Sequence, residues 1–343
     1  MGTTACDLVR ATTARVAAAA TRCVIDDAAV RRTVEGLSPD AVTAMCRGPW
    51  DAEGWHFRDL SDPELTSRYL LCVDAVNFCF WPDHDARGSS RDGLEYEHVA
   101  GGLARALEED RSALNADVLA EVTGPDLRRM LRWPRPLPME EERARLLREV
   151  GAGLIADHGG SAAAMIASAN GSAPTLVDVV VRTFPGFRDA VVDPRDGRQV
   201  FLYKRAQIFV GDVWGCFQGE GLGDFGESIE KLTMFADYRV PVVLRQMGVL
   251  VYDDALATAV NDGRTIAAGS PEEIEIRAGT VQAVERVREA LQERLERTPE
   301  LAGEGGGGRG RLTSVAIDWF LWNLGESARD EAPPHHRTLT VYY

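Results

Sequence analysis

The sequence is short of positive charge, with 38 Lys and Arg residues against 53 Asp and Glu residues and a formal net charge of −15 at pH 7. A protein that mainly grips nucleic-acid backbone or an anionic membrane needs a cationic surface. The composition therefore argues against a nucleic-acid polymer or a membrane as partner. A local basic pocket for a small phosphate remains compatible with it, and no obligate protein partner is evident.

Long apolar runs are missing as well. Arg10, Arg15 and Arg22 interrupt the small apolar residues near the N-terminus. No stretch approaches the roughly 20 apolar residues that span a bilayer. We therefore expect a soluble, cytoplasmic protein without a signal peptide.

The six cysteines form no C-x-x-C pair and no Cys/His cluster with zinc-site spacing, so we expect scattered buried thiols in a reducing compartment. P-loop, H-E-x-x-H and G-x-S-x-G motifs are also missing. Gly221–Gly226 matches G-x-G-x-x-G but lacks a complete βαβ context. The adjacent His335 and His336 rarely converge on one ion, and we expect no metal and no other cofactor.

With 343 residues, of which 45% are hydrophobic, the chain can bury a sizeable core. Its pattern is mostly helical and lacks βαβ alternation, which disfavours a doubly wound sheet or a TIM barrel. Three β-branched or aromatic segments, Val177–Val181, Phe187–Val192 and Val200–Tyr203, predict a small hairpin or sheet. The fold class is therefore mainly α with a small β insertion.

We predict a single compact, mostly helical unit over 1–343, with the β-rich insertion near 177–204 and a mobile Gly-rich loop at 303–310. One helix is predicted to start at Pro63 with Asp62 or Ser61 as N-cap. The segment 204–214 fits either a helix or a strand. The helical segments are the first 45 residues and 63–81, 95–107, 140–155, 162–170, 229–236, 241–250, 252–261, 271–295 and 313–324.

A carboxylate interrupts the segment Tyr69–Trp81, which is otherwise apolar almost all round. At helical spacing one face carries Asp74, Asn77, Phe78 and Trp81. Buried polar groups need partners. Asp74 therefore either caps a neighbouring helix or pairs with an arginine, or its face is the polar and aromatic wall of a ligand pocket.

Two further carboxylates occupy unusual positions. Asp318 lies among apolar and aromatic residues, where it either pairs within the core or lines a site. Asp237 precedes Pro241, where a helix is predicted to open, and nearby N–H groups keep such a carboxylate ionised. An N-cap role explains this position, but an ionised carboxylate beside Phe235 and Tyr238 also suits stabilisation of a cationic transition state.

Around these residues the sequence resembles the queuosine salvage proteins, a family of queuosine 5′-phosphate N-glycosylases/hydrolases. The matching blocks cover most of the chain in family order, except the first 45 residues and the loop at 303–310. They are VDAVNFCFWPD (73–83), EYEHVAGGLARAL (95–107), RTFPGFRDA (182–190), KRAQIFVGDVWG (204–215), LTMFADYRVPVVLR (232–245), EIEIRAGTVQAVE (273–285), AIDWFLWNLGE (316–326) and HRTLTVYY (336–343).

The resemblance implies a mainly helical fold similar to the helix-hairpin-helix DNA glycosylases. It also implies release of queuine from queuosine 5′-monophosphate, which leaves ribose 5-phosphate. By this likeness Asp237 matches the catalytic carboxylate that follows a helical hairpin. The residues that the resemblance places in the queuine pocket are His56, Phe235, Asp318, Tyr342 and Tyr343.

This chemistry suits the residues. Cleavage of an N-glycosidic bond builds oxocarbenium character on the ribose, so an ionised Asp237 near the anomeric carbon lowers the barrier. It would stabilise the cation, orient the attacking water or form a covalent adduct. The departing 7-deazaguanine has no N7 to protonate, so its other edge needs partners, and Asp74 or Asp318 can accept from its N–H groups.

Other side chains suit the rest of the nucleotide. An aromatic ring such as Trp81 or Phe235 can stack on the base. A 5′-phosphate favours Arg or Lys, and the candidates are Lys204, Arg205 and Arg239.

Two alternatives stay open. A nucleic-acid glycosylase needs a basic face, which the net charge disfavours. A non-catalytic protein that binds queuine or a modified nucleoside would share the aromatic pocket without depending on Asp237 for turnover.

Overall fold

The computed structural model describes residues 2–47, 50–85, 93–302 and 312–343. The described residues are mainly helical and contain two small antiparallel sheets, which confirms a mainly α fold with a small β part. The Gly-rich loop predicted at 303–310 lies outside them. By its internal contacts the chain divides into two compact units. The single unit expected over 1–343 stays a prediction.

Helices make up most of the described chain. In chain order, the α-helices are α1 (Ala5–Ala19), α2 (Asp27–Gly36), α3 (Pro39–Arg47), α4 (Pro63–Ala75), α5 (Trp81–Asp85), α6 (Tyr96–Glu109), α7 (Ala116–Glu121), α8 (Gly124–Leu131), α9 (Glu140–His158), α10 (Ala162–Ala167), α11 (Ala173–Thr183), α12 (Lys204–Cys216), α13 (Val240–Gln246), α14 (Asp254–Asn261), α15 (Pro271–Arg297) and α16 (Ser314–Ser327). The strands are β1 (Cys23–Ile25), β2 (Ala190–Val192), β3 (Gln199–Phe201) and β4 (Leu250–Tyr252). Short 3-10 helices cover Pro185–Phe187, Gly221–Gly223, Gly226–Lys231 and Pro299–Ala302.

Several local predictions are confirmed. Helix α4 begins at Pro63 with Asp62 as N-cap, whose side chain accepts the N–H of Leu65. Strands β2 and β3 form the expected hairpin, with Val191 opposite Val200. The undecided segment 204–214 is helical and lies in α12.

The strand predicted over Val177–Val181 is wrong, because these residues lie in α11. Two start signals favour the helix: the Ser172 side chain accepts the N–H of Thr175, and Pro174 occupies the first turn. Burial of Val177 and Val180 then stabilises one helical face. The β-branched composition was the weaker signal.

Several helix predictions are wrong in part. Within the first 45 residues, which were predicted to be helical, residues 23–25 form β1. Helix α4 ends at Ala75, and the residues that follow it to 80 are irregular. The segment 229–236 is a 3-10 turn to Lys231 and then irregular. Residues 250–252 form β4, which pairs with β1 so that Val24 lies opposite Val251. That partner is remote in sequence, so local pattern could not reveal it.

The first unit contains Met1–Trp50, Ala190–Gln207 and Glu227–Leu339. Its longest element is α15, where buried Ile274 and Ala278 pack with Val16 and Val200. The buried carboxylate of Glu275 accepts the N–H groups of residues 21–23 at 2.7–3.1 Å. Through these bonds α15 fixes the entry to β1.

The second unit contains Asp51–Asp189, Ile208–Gly226 and Thr340–Tyr343. Helices α7 and α9 approach closely at Gly151, where a Cβ would lie 2.4 Å from the carbonyl oxygen of Ala116. The fully buried Arg143 guanidinium donates to backbone carbonyls of the irregular segment after α4, namely those of Val76, Phe78 and Cys79. These bonds replace the helical ones that the segment lacks.

All six cysteines are buried free thiols, as expected. Among the described residues, none of the helices has the length and apolar character that a membrane crossing requires.

Candidate active site

Asp237 lies in the first unit, at the end of the irregular segment 232–237 and just before α13. Its Oδ1 atom accepts the N–H groups of Arg239 and Val240, each at 3.0 Å. Within the described ranges Oδ2 takes part in no hydrogen bond. One carboxylate oxygen is thus fixed to the backbone. The expected place beside a helix start is confirmed.

The environment of Asp237 makes its carboxylate more basic than usual. The residue is only 9% exposed, and this burial raises its pKa. The positive charge of Lys204 and the N–H bonds from Val240 and Arg239 oppose the rise without cancelling it. A raised pKa favours a carboxylate that accepts a proton or attacks an electrophile.

Buried side chains from other elements hold the segment that carries Asp237. Asp318 of α16 accepts the N–H of Phe235 at 3.0 Å. Arg277 of α15 donates through Nε to the carbonyl oxygen of Ala236 at 3.0 Å. Asp318 therefore has a partner in the core, as one of its two interpretations expected. Sequence reasoning missed Arg277, which no motif marks.

The phosphate candidates differ in their surroundings. Lys204 and Arg205 are buried at the start of α12, and the charge of Lys204 acts on Asp237. The Arg239 guanidinium pairs with Glu326, with Nε 2.6 Å from Oε1. The charge of Arg239 is thus already neutralised by a carboxylate. The charge of Lys204 instead acts on the carboxylate of Asp237.

Tyr238 stacks on His335, with ring centroids 4.5 Å apart and an interplanar angle of 29°. The Nδ1 atom of His335 donates to the carbonyl oxygen of His336 at 2.8 Å, since a carbonyl can only accept. No cluster of three or more metal-ligating side chains occurs in the part of the chain that the structure describes.

His56 lies in the second unit and joins two other side chains. Its Nδ1 atom lies 2.7 Å from Asp51 Oδ1, and its Nε2 atom lies 2.7 Å from the hydroxyl of Tyr96. The rings of Trp55 and Tyr96 pack edge to face, with their centroids 6.4 Å apart. Asp51 and Tyr96 were not predicted, because neither stands out from its local sequence.

Asp74 also lies in the second unit, and its charge acts on Tyr69 and Tyr96. It is fully buried, and together with Asp51 and Asp212 it contributes to the raised pKa values of Tyr69 and Tyr96, of which burial is the main cause. Asp212 interrupts the apolar segment IFVGDVWG of α12 in the same way that Asp74 interrupts α4. The same pattern could therefore have found Asp212.

The prediction that one helical face carries Asp74, Asn77, Phe78 and Trp81 is wrong. Since α4 ends at Ala75, these residues do not follow one helical stripe. Trp81 packs beside the buried cluster of Phe78, Cys79 and Leu146.

The C-terminal tyrosines lie in the second unit. The N–H of Cys79 donates to the carbonyl oxygen of Tyr343 at 2.9 Å. Tyr343 is buried, and Tyr342 is half-buried.

The predicted site residues therefore fall into two groups. The first unit holds Asp237, Lys204, Phe235, Tyr238, Arg239 and Asp318. The second unit holds His56, Asp74, Asn77, Trp81, Tyr342 and Tyr343.

Comparison with known proteins gives one consistent result. The family model described as queuosine salvage protein matches residues 56–343. A queuosine 5′-phosphate N-glycosylase/hydrolase of Dictyostelium discoideum is 40% identical, with 98% of each chain covered. Proteins with the same name from Sphaerobacter thermophilus and Bos taurus are 40% and 34% identical, over 98% and 93% of this chain and 97% and 94% of their own.

Proposed function

The chain belongs to the queuosine salvage protein family, and on that premise we propose that it hydrolyses the N-glycosidic bond of queuosine 5′-monophosphate. The products are queuine and ribose 5-phosphate. The observation that carries the proposal for this site is the carboxylate of Asp237, buried and fixed through Oδ1 alone. The relatives from Dictyostelium discoideum, Sphaerobacter thermophilus and Bos taurus act on the same type of substrate by their names.

The reaction breaks the bond between the base nitrogen and the anomeric carbon and forms a bond from that carbon to a water oxygen. The bonding electrons leave with the base, which gains a proton, while the ribose passes through an oxocarbenium-like state. A fixed negative charge near the anomeric carbon stabilises that state because it needs no reorganisation during the reaction. We assign this charge to Oδ2 of Asp237.

Lys204 has a supporting part in this scheme. Its positive charge lowers the pKa of Asp237 against the effect of burial. Lys204 thereby favours the ionised form of the carboxylate. Lys204 is also our candidate for the 5′-phosphate.

The remaining predicted residues keep their proposed roles in substrate binding. In the first unit they are Phe235, Tyr238, Arg239 and Asp318. In the second unit they are His56, Asp74, Asn77, Trp81, Tyr342 and Tyr343. The acidic net charge supports a free nucleotide rather than a nucleic-acid polymer as substrate. A fold like that of the helix-hairpin-helix DNA glycosylases is part of the proposal.

The test incubates the purified protein with queuosine 5′-monophosphate and measures free queuine by liquid chromatography. Asp237→Asn removes the charge, and Asp26→Asn is the matched control. Asp26 also accepts two N–H groups through Oδ1, those of Ala28 and Ala29 at the start of α2. We expect release by the wild type and by Asp26→Asn but not by Asp237→Asn.

Thermal melts of all three proteins establish that they are folded. If the folded wild type releases no queuine but is stabilised by the nucleotide, the protein is a binding protein and the catalytic proposal fails. If Asp237→Asn releases queuine as fast as the wild type, the bond is cleaved without this carboxylate.

A further inference from the structure

The segment 232–237 belongs to neither a helix nor a strand, so most of its peptide groups depend on other partners. The peptide between Ala236 and Asp237 is bound at both ends. Its N–H donates to the carbonyl oxygen of Phe235 at 2.7 Å. Its carbonyl oxygen accepts from Nε of Arg277 at 3.0 Å. The orientation of this peptide sets where the Asp237 side chain points.

Arg277 is anchored on a rigid element. It lies on the 27-residue helix α15 and is 2% exposed. One turn earlier, Glu273 Oε1 lies 3.5 Å from its NH1 atom, and Glu273 Oε2 accepts the N–H of Gly269 at 3.0 Å. Burial of a guanidinium is costly unless its partners are well placed. One of the partners of Arg277 is the peptide next to the proposed catalytic residue.

We propose that Arg277 is a positioning residue for Asp237, which it holds in place through the carbonyl group of Ala236. This inference rests on the proposed function. A reacting carboxylate must stay within about 0.5 Å of its productive place, and a displacement of about 1 Å can cost roughly 100-fold in rate. Without the Nε–H bond the 236–237 peptide can rotate and carry the carboxylate away.

The first measurement compares kcat and KM for Arg277→Lys, Arg277→Met and a matched control, Arg294→Met. Arg294 lies on the same helix and also donates to backbone carbonyls, those of Val34 and Leu37, which are not part of the site. We expect Arg277→Met to lower kcat about 10- to 100-fold with KM changed less than about twofold. Arg277→Lys keeps a donor and a charge, so its loss is smaller, and Arg294→Met keeps the wild-type kcat.

The second measurement does not need turnover. Asp237→Asn is made in the wild type and in Arg277→Lys, and the melting temperatures are compared at pH 4 and pH 7. In the wild type the gain from Asp237→Asn grows with pH, because burial raises the pKa of this carboxyl. If Arg277 holds Asp237 in its buried place, the pH-dependent part of the gain shrinks in Arg277→Lys, since the released carboxylate reaches water.

The outcomes separate the two proposals. An inactive, folded wild type overturns the proposed function, while the melting temperatures still test the position of Asp237. An active wild type with unchanged kcat in folded Arg277→Lys and Arg277→Met overturns the role of Arg277. A raised KM at unchanged kcat also overturns it, because that result indicates uniform substrate binding.

Discussion

At the scale of single residues, the site combines a charge that burial disfavours with backbone groups that hold it. Asp237 is a candidate from the sequence because a helix start follows it and aromatic residues flank it, and the family resemblance adds the catalytic role that stays a prediction. Arg277 and Gln207 could not be identified from the sequence, although both bind the segment 232–237 that carries Asp237. Arg277 binds Ala236 across 41 positions, and Gln207 binds Thr233 across 26. The local sequence around a polar helical residue does not predict a partner that lies so far away along the chain.

Removal of the Asp237 charge is expected to stabilise the protein while it abolishes turnover. The carboxyl has a folded-state pKa above the ordinary 3.8 because burial outweighs the charge of Lys204. Ionisation therefore costs stability, and the cost grows as pH rises from about 3.8 through the folded-state pKa. Asp237→Asn should raise the melting temperature more at pH 7 than at pH 4. An equal gain at both values would contradict this reasoning.

At the scale of elements, the start signals of helices were reliable and the composition of short segments was not. Asp62 with Pro63 predicted the start of α4. The β-branched residues of α11 favoured a strand in isolation, yet the Ser172 cap and burial of one face make a helix. Strand β4 was missed for the opposite reason, since it exists only through its pairing with β1.

Helix α6 offers a matched pair of substitutions. A Cβ added at Gly101 would meet nothing within 4 Å, whereas at Gly102 it would lie 2.7 Å from Leu131 Cδ2 and 3.1 Å from Leu131 Cα. Gly101→Ala should therefore stabilise the protein by about 0.5–1 kcal/mol. Gly102→Ala should destabilise it by about 1–3 kcal/mol through overpacking against α8. Urea unfolding of both variants checks the difference in sign, and a stabilising Gly102→Ala would contradict the close approach.

At the scale of the whole molecule, His336 is expected to make stability depend on pH. Burial, with the nearby charges of His335, Arg277 and Arg245, lowers the pKa of His336 well below 6.5. Below about pH 6.5 the unfolded chain binds a proton at His336 and the folded chain does not. The free energy of unfolding therefore decreases as pH drops below about 6.5. His336→Gln should lose less melting temperature than the wild type between pH 7 and pH 5. Equal losses would exclude His336 as the cause.

The pairing of β1 with β4 also constrains the order in which the chain can fold during synthesis. Residues 23–25 pair as a strand with residues 250–252, and the N–H of Cys79 donates to the carbonyl oxygen of residue 343. A ribosome delivers the chain from the N-terminus, so the first segment must wait for some 230 residues before its sheet can close. Contacts that span such distances along the chain slow folding, because the closure entropy is lost before the contact forms. During synthesis the edge of β1 therefore stays without its strand partner until residues 250–252 have been made.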